Sequence, residues 1–117
     1  MGAPVVWFEV AGRNLDTLKK FYGGLFDWKI DVDNPLNYGL VETGGEGGIP
    51  GGIFAGDEDV EYVSFYVDVP DLEARLKKAE KLGAKVVQPP TPIPDGPTVA
   101  MILDPEGHRI GLLQAPK

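Results

Sequence analysis

The chain has 117 residues, 43% apolar and 25% charged, a composition that suits one ordinary domain with a core rather than a disordered chain. It has no cysteine, which excludes disulfides, zinc–thiolate sites and cysteine nucleophiles. The net charge of −7, from 18 acidic and 11 basic residues, disfavours a nucleic-acid partner because such a surface repels phosphate backbones.

The N-terminus lacks a basic region followed by an apolar run, and no stretch approaches the ~18 apolar residues of a membrane span. We therefore expect a cytoplasmic protein with no membrane partner. The acidic surface would weakly favour a cationic small molecule, although solubility alone also explains it. The 16 glycines and 11 prolines predict many turns and short strands.

The first half of the chain predicts four strands and one helix. β-branched and aromatic residues predict a strand over 5–10. Asn14 is a good N-cap for a helix with apolar positions at Leu15, Leu18, Phe21, Tyr22 and Leu25. The remaining elements are a strand over 28–32, a turn at Asn34-Pro35, a strand over 38–43, a loop over 44–52 with six glycines, and a short strand over 53–55.

The second half predicts the same order of elements. A strand over 62–69 precedes a helix that Asp71 opens and Gly83 ends. The apolar stripe of this helix is formed by Leu72, Leu76, Ala79 and Leu82. A strand over 85–87 follows. The segment over 88–97 has five prolines and can be neither helix nor central strand. The last two strands, over 98–103 and 109–114, are joined by an Asp104-Pro105-Glu106-Gly107 turn.

The two halves can be overlaid at a shift of 57 residues, which predicts a duplicated βαβββ unit. The matching positions are Asn14-Leu15 with Asp71-Leu72, Leu25 with Leu82, Val6 with Val63, and Phe8 with Phe65. Neither half could bury its sheet face alone. We therefore expect a single domain over 1–117, with repeats at about 4–56 and 61–115.

Short segments along nearly the whole chain carry a family resemblance. They are Phe8-Glu9-Val10, Leu15, Phe21-Tyr22, Asp71-Leu72-Glu73-Ala74, the segment 82–87, Pro89-Pro90-Thr91 and the segment 104–110. With the duplicated order, they resemble the vicinal oxygen chelate superfamily of glyoxalase I, extradiol dioxygenases and bleomycin-resistance proteins. The resemblance implies an α+β fold in which two βαβββ modules pair into a curled mixed sheet around a concave cleft.

Strand alternation predicts which side chains face that cleft. Val6, Phe8 and Val10 should lie under the first helix, so Trp7 and Glu9 should face the cleft. By the same reasoning the other cleft-facing residues are Ser64, Tyr66, Arg109, Gly111 and Leu113, which alternate with core positions Val63, Phe65, Val67, Ile110 and Leu112.

In metal-dependent members of the superfamily a His, Gln or Glu ligand stands on the first and last strand of each half. Those positions fall here on Trp7, Ser64, Gly111 and residues 52–54, and none of these is such a ligand. A divalent metal site needs several oxygen or nitrogen donors at ~2.0–2.2 Å. We therefore expect no metal and no other cofactor.

Glu9 is the main candidate for chemistry or binding. It could act as a general base, bind a cationic ligand, or only hydrogen-bond a neighbouring strand or pair with Arg109. Trp7 and Tyr66 could stack on a flat or cationic ligand, or only fill the cleft. We predict Glu9 as the catalytic residue and Trp7, Glu9, Ser64, Tyr66 and Arg109 as ligand-binding residues.

Two further features have simple explanations. His108 follows the Asp-Pro-Glu-Gly turn, so we expect an exposed turn residue rather than an acid or base. The loop over 44–52 lacks the Gly-Lys-Ser/Thr ending of a phosphate loop and fits a mobile flap over the cleft, with 88–97 as its stiffer counterpart.

Three functions remain open. The first is a binding protein that holds a small organic molecule, cationic or aromatic, as bleomycin-resistance proteins do without metal chemistry. The second is a metal-independent lyase, isomerase or hydroxylase-like enzyme with Glu9 as base, helped by Tyr66 or Ser64. The third is a ligand-free relic or engineered scaffold. By analogy with short members of the superfamily we expect a homodimer.

Overall fold

The computed structural model describes residues 2–56 and 60–116. Within these ranges the order is βαβββ-βαβββ, with parallel and antiparallel strand pairs, so the predicted α+β class is confirmed. The elements are β1 (Val5–Gly12), α1 (Leu15–Phe26), β2 (Lys29–Asp31), β3 (Gly39–Glu42), β4 (Gly51–Ala55), β5 (Tyr62–Asp68), α2 (Leu72–Lys81), β6 (Lys85–Pro92), β7 (Thr98–Leu103) and β8 (Arg109–Gln114). Neither described helix is long and apolar enough to cross a membrane.

The chain divides into two compact units. The N-terminal unit is Trp7–Val63, and the C-terminal unit consists of the described residues up to Val6 together with those from Ser64 onward. How the two modules pair, the cleft expected at that pairing and the repeat boundaries stay predictions.

In the N-terminal unit the strands run in the order β2-β3-β4-β1. β1 and β4 are parallel, and the other neighbours are antiparallel. Helix α1 packs on one face of this sheet over a core of Val10, Val41 and Ile53. The partly buried residues around that core are Phe8, Leu15, Leu18, Tyr22, Trp28 and Ile30. The side chains that alternate with the core residues therefore lie on the opposite face of the sheet.

Both ends of α1 have defined hydrogen bonds. The Asn14 side chain accepts from the backbone N–H of Thr17 at 3.0 Å, so the predicted N-cap is confirmed. The helix runs to Phe26 and stops at Asp27, which is left-handed with φ 59°. The Asp27 N–H donates to the Gly23 carbonyl at 3.0 Å, which satisfies one carbonyl of the last turn.

The predicted apolar stripe of α1 is partly wrong. Leu15, Leu18 and Tyr22 pack on the core, but Phe21 and Leu25 are 57% and 58% exposed. The reason is helical geometry: at 3.6 residues per turn the last two lie on one flank of the stripe rather than under it. That flank presents apolar surface to solvent.

In the C-terminal unit the strands run in the order β5-β8-β7-β6, with β5 and β8 parallel. Its core consists of Val69, Leu72, Leu76, Ala100 and Leu112. The Asp71 side chain accepts from the backbone N–H of Ala74 at 3.1 Å, which confirms the predicted N-cap of α2. Each unit therefore contains a parallel pair formed by the first and last strands of its βαβββ module.

Three apolar predictions in this half are wrong. Leu82 is 70% exposed because α2 ends at Lys81 and the chain turns at Gly83, where φ is +104°. Val63 is 76% exposed and Phe65 is also exposed, although Val67 packs on the core as predicted. The buried face of α2 consists of Leu72 and Leu76, and it packs near the end of β5, at Val67. The helix therefore does not cover the earlier residues of β5.

Strand boundaries differ from the predictions where glycine and proline occur. β4 begins at Gly51, inside the predicted loop. Glycine permits the close pairing there, because a Cβ at this position would overlap the ring of Phe8 on the paired strand. β6 continues through the prolines to Pro92 as the last strand of its sheet, beyond the predicted end at Val87. Its pairing with β7 shifts register twice, on either side of Gln88, as expected for a proline-containing edge strand.

The Asp104–His108 turn has one carboxylate at its centre. Asp104 Oδ1 accepts from the backbone N–H groups of Glu106 and His108, each at 2.9 Å, and Gly107 adopts φ +91°. His108 is exposed, as predicted, with its Nδ1 2.9 Å from Asp104 Oδ2. The backbone N–H of His108, with smaller contributions from its side chain and from the Glu106 N–H, lowers the pKa of Asp104 below its ordinary value of 3.8.

This turn makes the stability of the fold depend on pH in the acidic range. Because the pKa of Asp104 is lower in the folded than in the unfolded chain, its ionisation stabilises the fold above about pH 3.8, and this contribution is lost as the pH falls through the folded pKa. We expect wild type to unfold at a higher temperature than Asp104→Asn at neutral pH. The difference should shrink at lower pH in thermal scans. Glu80→Gln controls for the loss of one carboxylate, and a pH-independent difference would contradict the assignment.

Candidate functional site

Glu9 lies near the middle of β1, on the face of the N-terminal sheet opposite α1. Its neighbours Phe8 and Val10 point to the helix side, where they contact the core. Glu9 is only 6% exposed, and its partner on the parallel strand β4 is Gly52. The prediction that Glu9 lies on the face away from the helix therefore agrees with the register of β1.

Two tyrosine hydroxyls hold the Glu9 carboxylate, one at each oxygen. The Tyr38 hydroxyl donates to Oε2 at 2.6 Å, and the Tyr62 hydroxyl donates to Oε1 in a short hydrogen bond. Buried carboxylates require such partners, because an unpaired buried charge is costly. With both oxygens bound, the carboxylate is fixed in one orientation.

Trp7 extends this hydrogen-bonded network. Its indole Nε1 donates to the Tyr38 hydroxyl oxygen at 3.1 Å, so the donors run from Trp7 to Tyr38 to Glu9. Each bond in such a chain polarises the next and strengthens it. The two N-terminal residues predicted from alternation, Trp7 and Glu9, are thus brought together through Tyr38.

Phe54 packs against both of the tyrosines that bind the carboxylate. Its ring centre lies 5.5 Å from that of Tyr38 in a stacked arrangement, and 6.3 Å from that of Tyr62 in an edge arrangement. Trp7, Tyr38, Phe54 and Tyr62 are all only partly buried. We call these four residues with Glu9 the Glu9 site.

Local backbone geometry places Tyr38 over Glu9. The Asn34 side chain accepts from the backbone N–H groups of Leu36 and Tyr38 and donates to the Tyr38 carbonyl at 2.6 Å, which fixes the predicted Asn34-Pro35 turn. On the adjoining strand, a Cβ at Gly52 would overlap the phenol of Tyr38. Glycine at this position is therefore what allows the ring to cross β4.

The other three predicted site residues lie in the C-terminal unit. Ser64 is buried, and its hydroxyl donates to the Arg109 carbonyl at 2.5 Å. Tyr66 is buried beside its register partner Gly111, where a Cβ would overlap the Tyr66 ring. The structure thus connects Ser64 with the backbone of Arg109. That Ser64, Tyr66 and Arg109 bind a ligand together with Trp7 and Glu9 stays a prediction.

The metal that the superfamily implies does not fit this donor set. The indole of Trp7 offers an N–H donor and no lone pair for a metal ion. The Ser64 hydroxyl donates a hydrogen bond to the backbone carbonyl of Arg109. Tyrosine rings occupy the space beside Gly52 and Gly111 that larger side chains would need. Across residues 2–56 and 60–116, no three His, Cys, Asp or Glu side chains are grouped so that they could hold a metal ion.

Sequence reasoning missed Tyr38, Phe54 and Tyr62. Alternation in β5 places Tyr62 on the same face as Ser64 and Tyr66, so the pattern that selected those two residues also contained Tyr62. Tyr38 precedes β3, and its position depends on the Asn34 side chain. No periodic pattern in the sequence predicts the contact between Asn34 and Tyr38.

Comparisons with known proteins agree with this fold. The family model described as Glyoxalase/Bleomycin resistance protein/Dioxygenase superfamily matches residues 5–112. The curated "Putative glyoxylase CFP32" of Mycobacterium tuberculosis is 30% identical over 119 residues, covering 93% of this chain and 44% of that protein. The chain thus spans less than half the length of the curated relatives it matches.

Two solved structures superpose on nearly the whole chain. A hypothetical protein from Bacillus halodurans has a TM-score of 0.73 at 15% identity, over 100% of this chain and 97% of the other. Streptomyces coelicolor methylmalonyl-CoA epimerase, as a variant in complex with 2-nitronate-propionyl-CoA, has a TM-score of 0.70 at 15% identity, over 98% and 99%. The family model spans most of the sequence, which confirms the predicted resemblance: the chain belongs to the glyoxalase/bleomycin resistance protein/dioxygenase superfamily.

Proposed function

We propose that this protein binds a small cationic organic molecule at the Glu9 site. The observation that carries the proposal is the buried Glu9 carboxylate, held at both oxygens by tyrosine hydroxyls and adjoined by partly buried aromatic rings. A fixed negative charge beside aromatic faces attracts a cation with an apolar or aromatic body. No metal ligand is needed for such binding.

The charge of the chain also supports a cationic ligand. A net charge of −7 raises the local concentration of cations and opposes anions. The epimerase structure holds a coenzyme A derivative, whose phosphate groups are anionic. Similarity of fold at 15% identity therefore does not transfer that ligand to this chain, whose charge disfavours it.

Replacing Glu9 should weaken binding without unfolding the protein. With cationic aromatic probes such as bleomycin, ethidium and benzyltrimethylammonium, we expect at least one to bind wild type in isothermal titration calorimetry. Glu9→Gln should reduce that affinity by roughly tenfold, the effect of about 1.4 kcal/mol, because the amide carries no charge. Glu80→Gln makes the same substitution on the exposed face of α2 and should bind as wild type. Wild type that binds none of the probes, or Glu9→Gln that binds unchanged, would refute the proposal.

A second proposal is that Glu9 acts as a general base in a metal-independent reaction. The fixed orientation of its carboxylate supports this, because a general base must be positioned against the proton that it removes. One structural neighbour is an epimerase, as its name states. The hypothesis of a ligand-free scaffold has no comparable support from the geometry.

The base hypothesis predicts Glu9-dependent exchange of carbon-bound protons. In deuterated buffer, NMR would follow label uptake into pyruvate and into the hemithioacetal of methylglyoxal and glutathione. Wild type should accelerate exchange in at least one, and Glu9→Gln should abolish the acceleration while its thermal unfolding stays cooperative. If Glu9→Gln retains full acceleration, Glu9 is not the base, whereas the binding proposal is judged by calorimetry alone.

We also propose that the protein forms a homodimer. The flank of α1 that carries Phe21 and Leu25 exposes large apolar side chains, which a second copy of the chain would cover. Sedimentation should give twice the 12.6 kDa of one chain. Phe21→Ser combined with Leu25→Ser should shift the mass toward that of a monomer, whereas Leu82→Ser, at a leucine that is even more exposed but lies outside this flank, should not. A monomeric wild type would end the proposal.

The cytoplasmic location and the lack of a nucleic-acid partner stay predictions.

A further inference from the structure

We propose that the group bound at the Glu9 site is a quaternary ammonium rather than an ammonium or guanidinium that carries N–H donors. This inference rests on the proposed cation-binding function and specifies its class of ligand. Two features of the N-terminal unit carry it. Both oxygens of the Glu9 carboxylate already accept hydrogen bonds from tyrosines, and two further partly buried aromatic side chains, Trp7 and Phe54, contact those tyrosines.

The first feature is how the carboxylate is already bonded. Primary ammonium and guanidinium groups are recognised through acceptors, since they present three and five N–H donors. At Glu9, Oε2 accepts from Tyr38 and Oε1 accepts from Tyr62. A cation with N–H donors would have to share or displace these bonds, and displacement would leave a phenol hydroxyl without its partner. A quaternary ammonium has no N–H group and leaves both bonds in place.

The second feature is the aromatic surface. Phe54 stacks on Tyr38 and meets Tyr62 edge to face, and the Trp7 indole is bonded to the Tyr38 hydroxyl. The faces of Trp and Tyr rings attract cations through their quadrupoles, and quaternary ammonium groups are the cations that aromatic cages recognise. Both tyrosines donate their O–H toward a carboxylate, which polarises the phenols and increases the negative charge on their rings.

The two features act together. The negative charge of Glu9 acts through the tyrosines that bind it, so the cation is attracted without a direct hydrogen bond to the carboxylate. The methyl groups of a quaternary ammonium spread its charge over an apolar surface, which loses little hydration when it contacts Phe54 or Trp7. An ammonium group is strongly hydrated and would lose that hydration without gaining acceptors.

The decisive experiment compares choline, ethanolamine and dimethylbutanol, which is the neutral carbon isostere of choline. Each is titrated into isotope-labelled protein and followed by NMR. We expect choline to bind roughly tenfold more tightly than either of the others. Equal affinity for choline and ethanolamine overturns this inference and leaves the cation-binding function intact. Glu9-dependent binding of ethanolamine without binding of choline does the same. Equal affinity for choline and dimethylbutanol also overturns this inference, because the positive charge then contributes nothing to binding. If no cation binds in a Glu9-dependent way, both this inference and the cation-binding function are overturned.

A pair of tyrosine variants tests the hydrogen-bond argument directly. Tyr62→Phe keeps the ring but removes the hydrogen bond from the Tyr62 hydroxyl to Glu9 Oε1, so the affinity for ethanolamine should rise about fivefold relative to that for choline. Tyr22→Phe removes a hydroxyl on the helix side of the sheet and should leave the ratio unchanged. If Tyr62→Phe fails to fold, the test uses Tyr38→Phe instead, which removes the hydrogen bond to Glu9 Oε2. An unchanged ratio in a folded variant contradicts the argument.

Discussion

The N-terminal unit depends on the compensation of one buried charge, the carboxylate of Glu9. A charge at this depth is tolerated only with hydrogen bonds, and Tyr38 and Tyr62 supply them from separate parts of the chain. Tyr38 reaches Glu9 because Asn34 fixes the turn before it and because Gly52 leaves room for its ring. The stabilisation of a single buried carboxylate thus accounts for the residues at four other positions.

The same register occurs in both units and shows how the superfamily scaffold is used here. Glu9 pairs with Gly52 between β1 and β4, and Tyr66 pairs with Gly111 between β5 and β8. In each parallel pair the last strand contributes a glycine, and a tyrosine ring fills the space where its side chain would be. These are the strands on which the resemblance places metal ligands.

The sequence predicted what local chemistry determines and missed what tertiary contacts determine. The element order, both N-caps and the face of Glu9 follow from periodicity and capping, and all agree with the structure. Leu82 was assigned to the core because it continues the helical spacing, but the helix ends one residue earlier. Tyr38 carries no such pattern, since its position depends on a side chain four residues away and on a glycine in another strand.

The internal pairing of polar groups limits how the Glu9 site can select a ligand. Among the described residues, no buried side-chain nitrogen or oxygen lacks a hydrogen-bond partner. The indole of Trp7 and the hydroxyls of Tyr38 and Tyr62 are already directed at protein atoms. A ligand that relied on directed hydrogen bonds would have to break bonds that stabilise a buried charge. Selection by net charge and by contact with ring faces has no such cost, so the packing that stabilises the fold is consistent with the proposal of a cation without N–H donors.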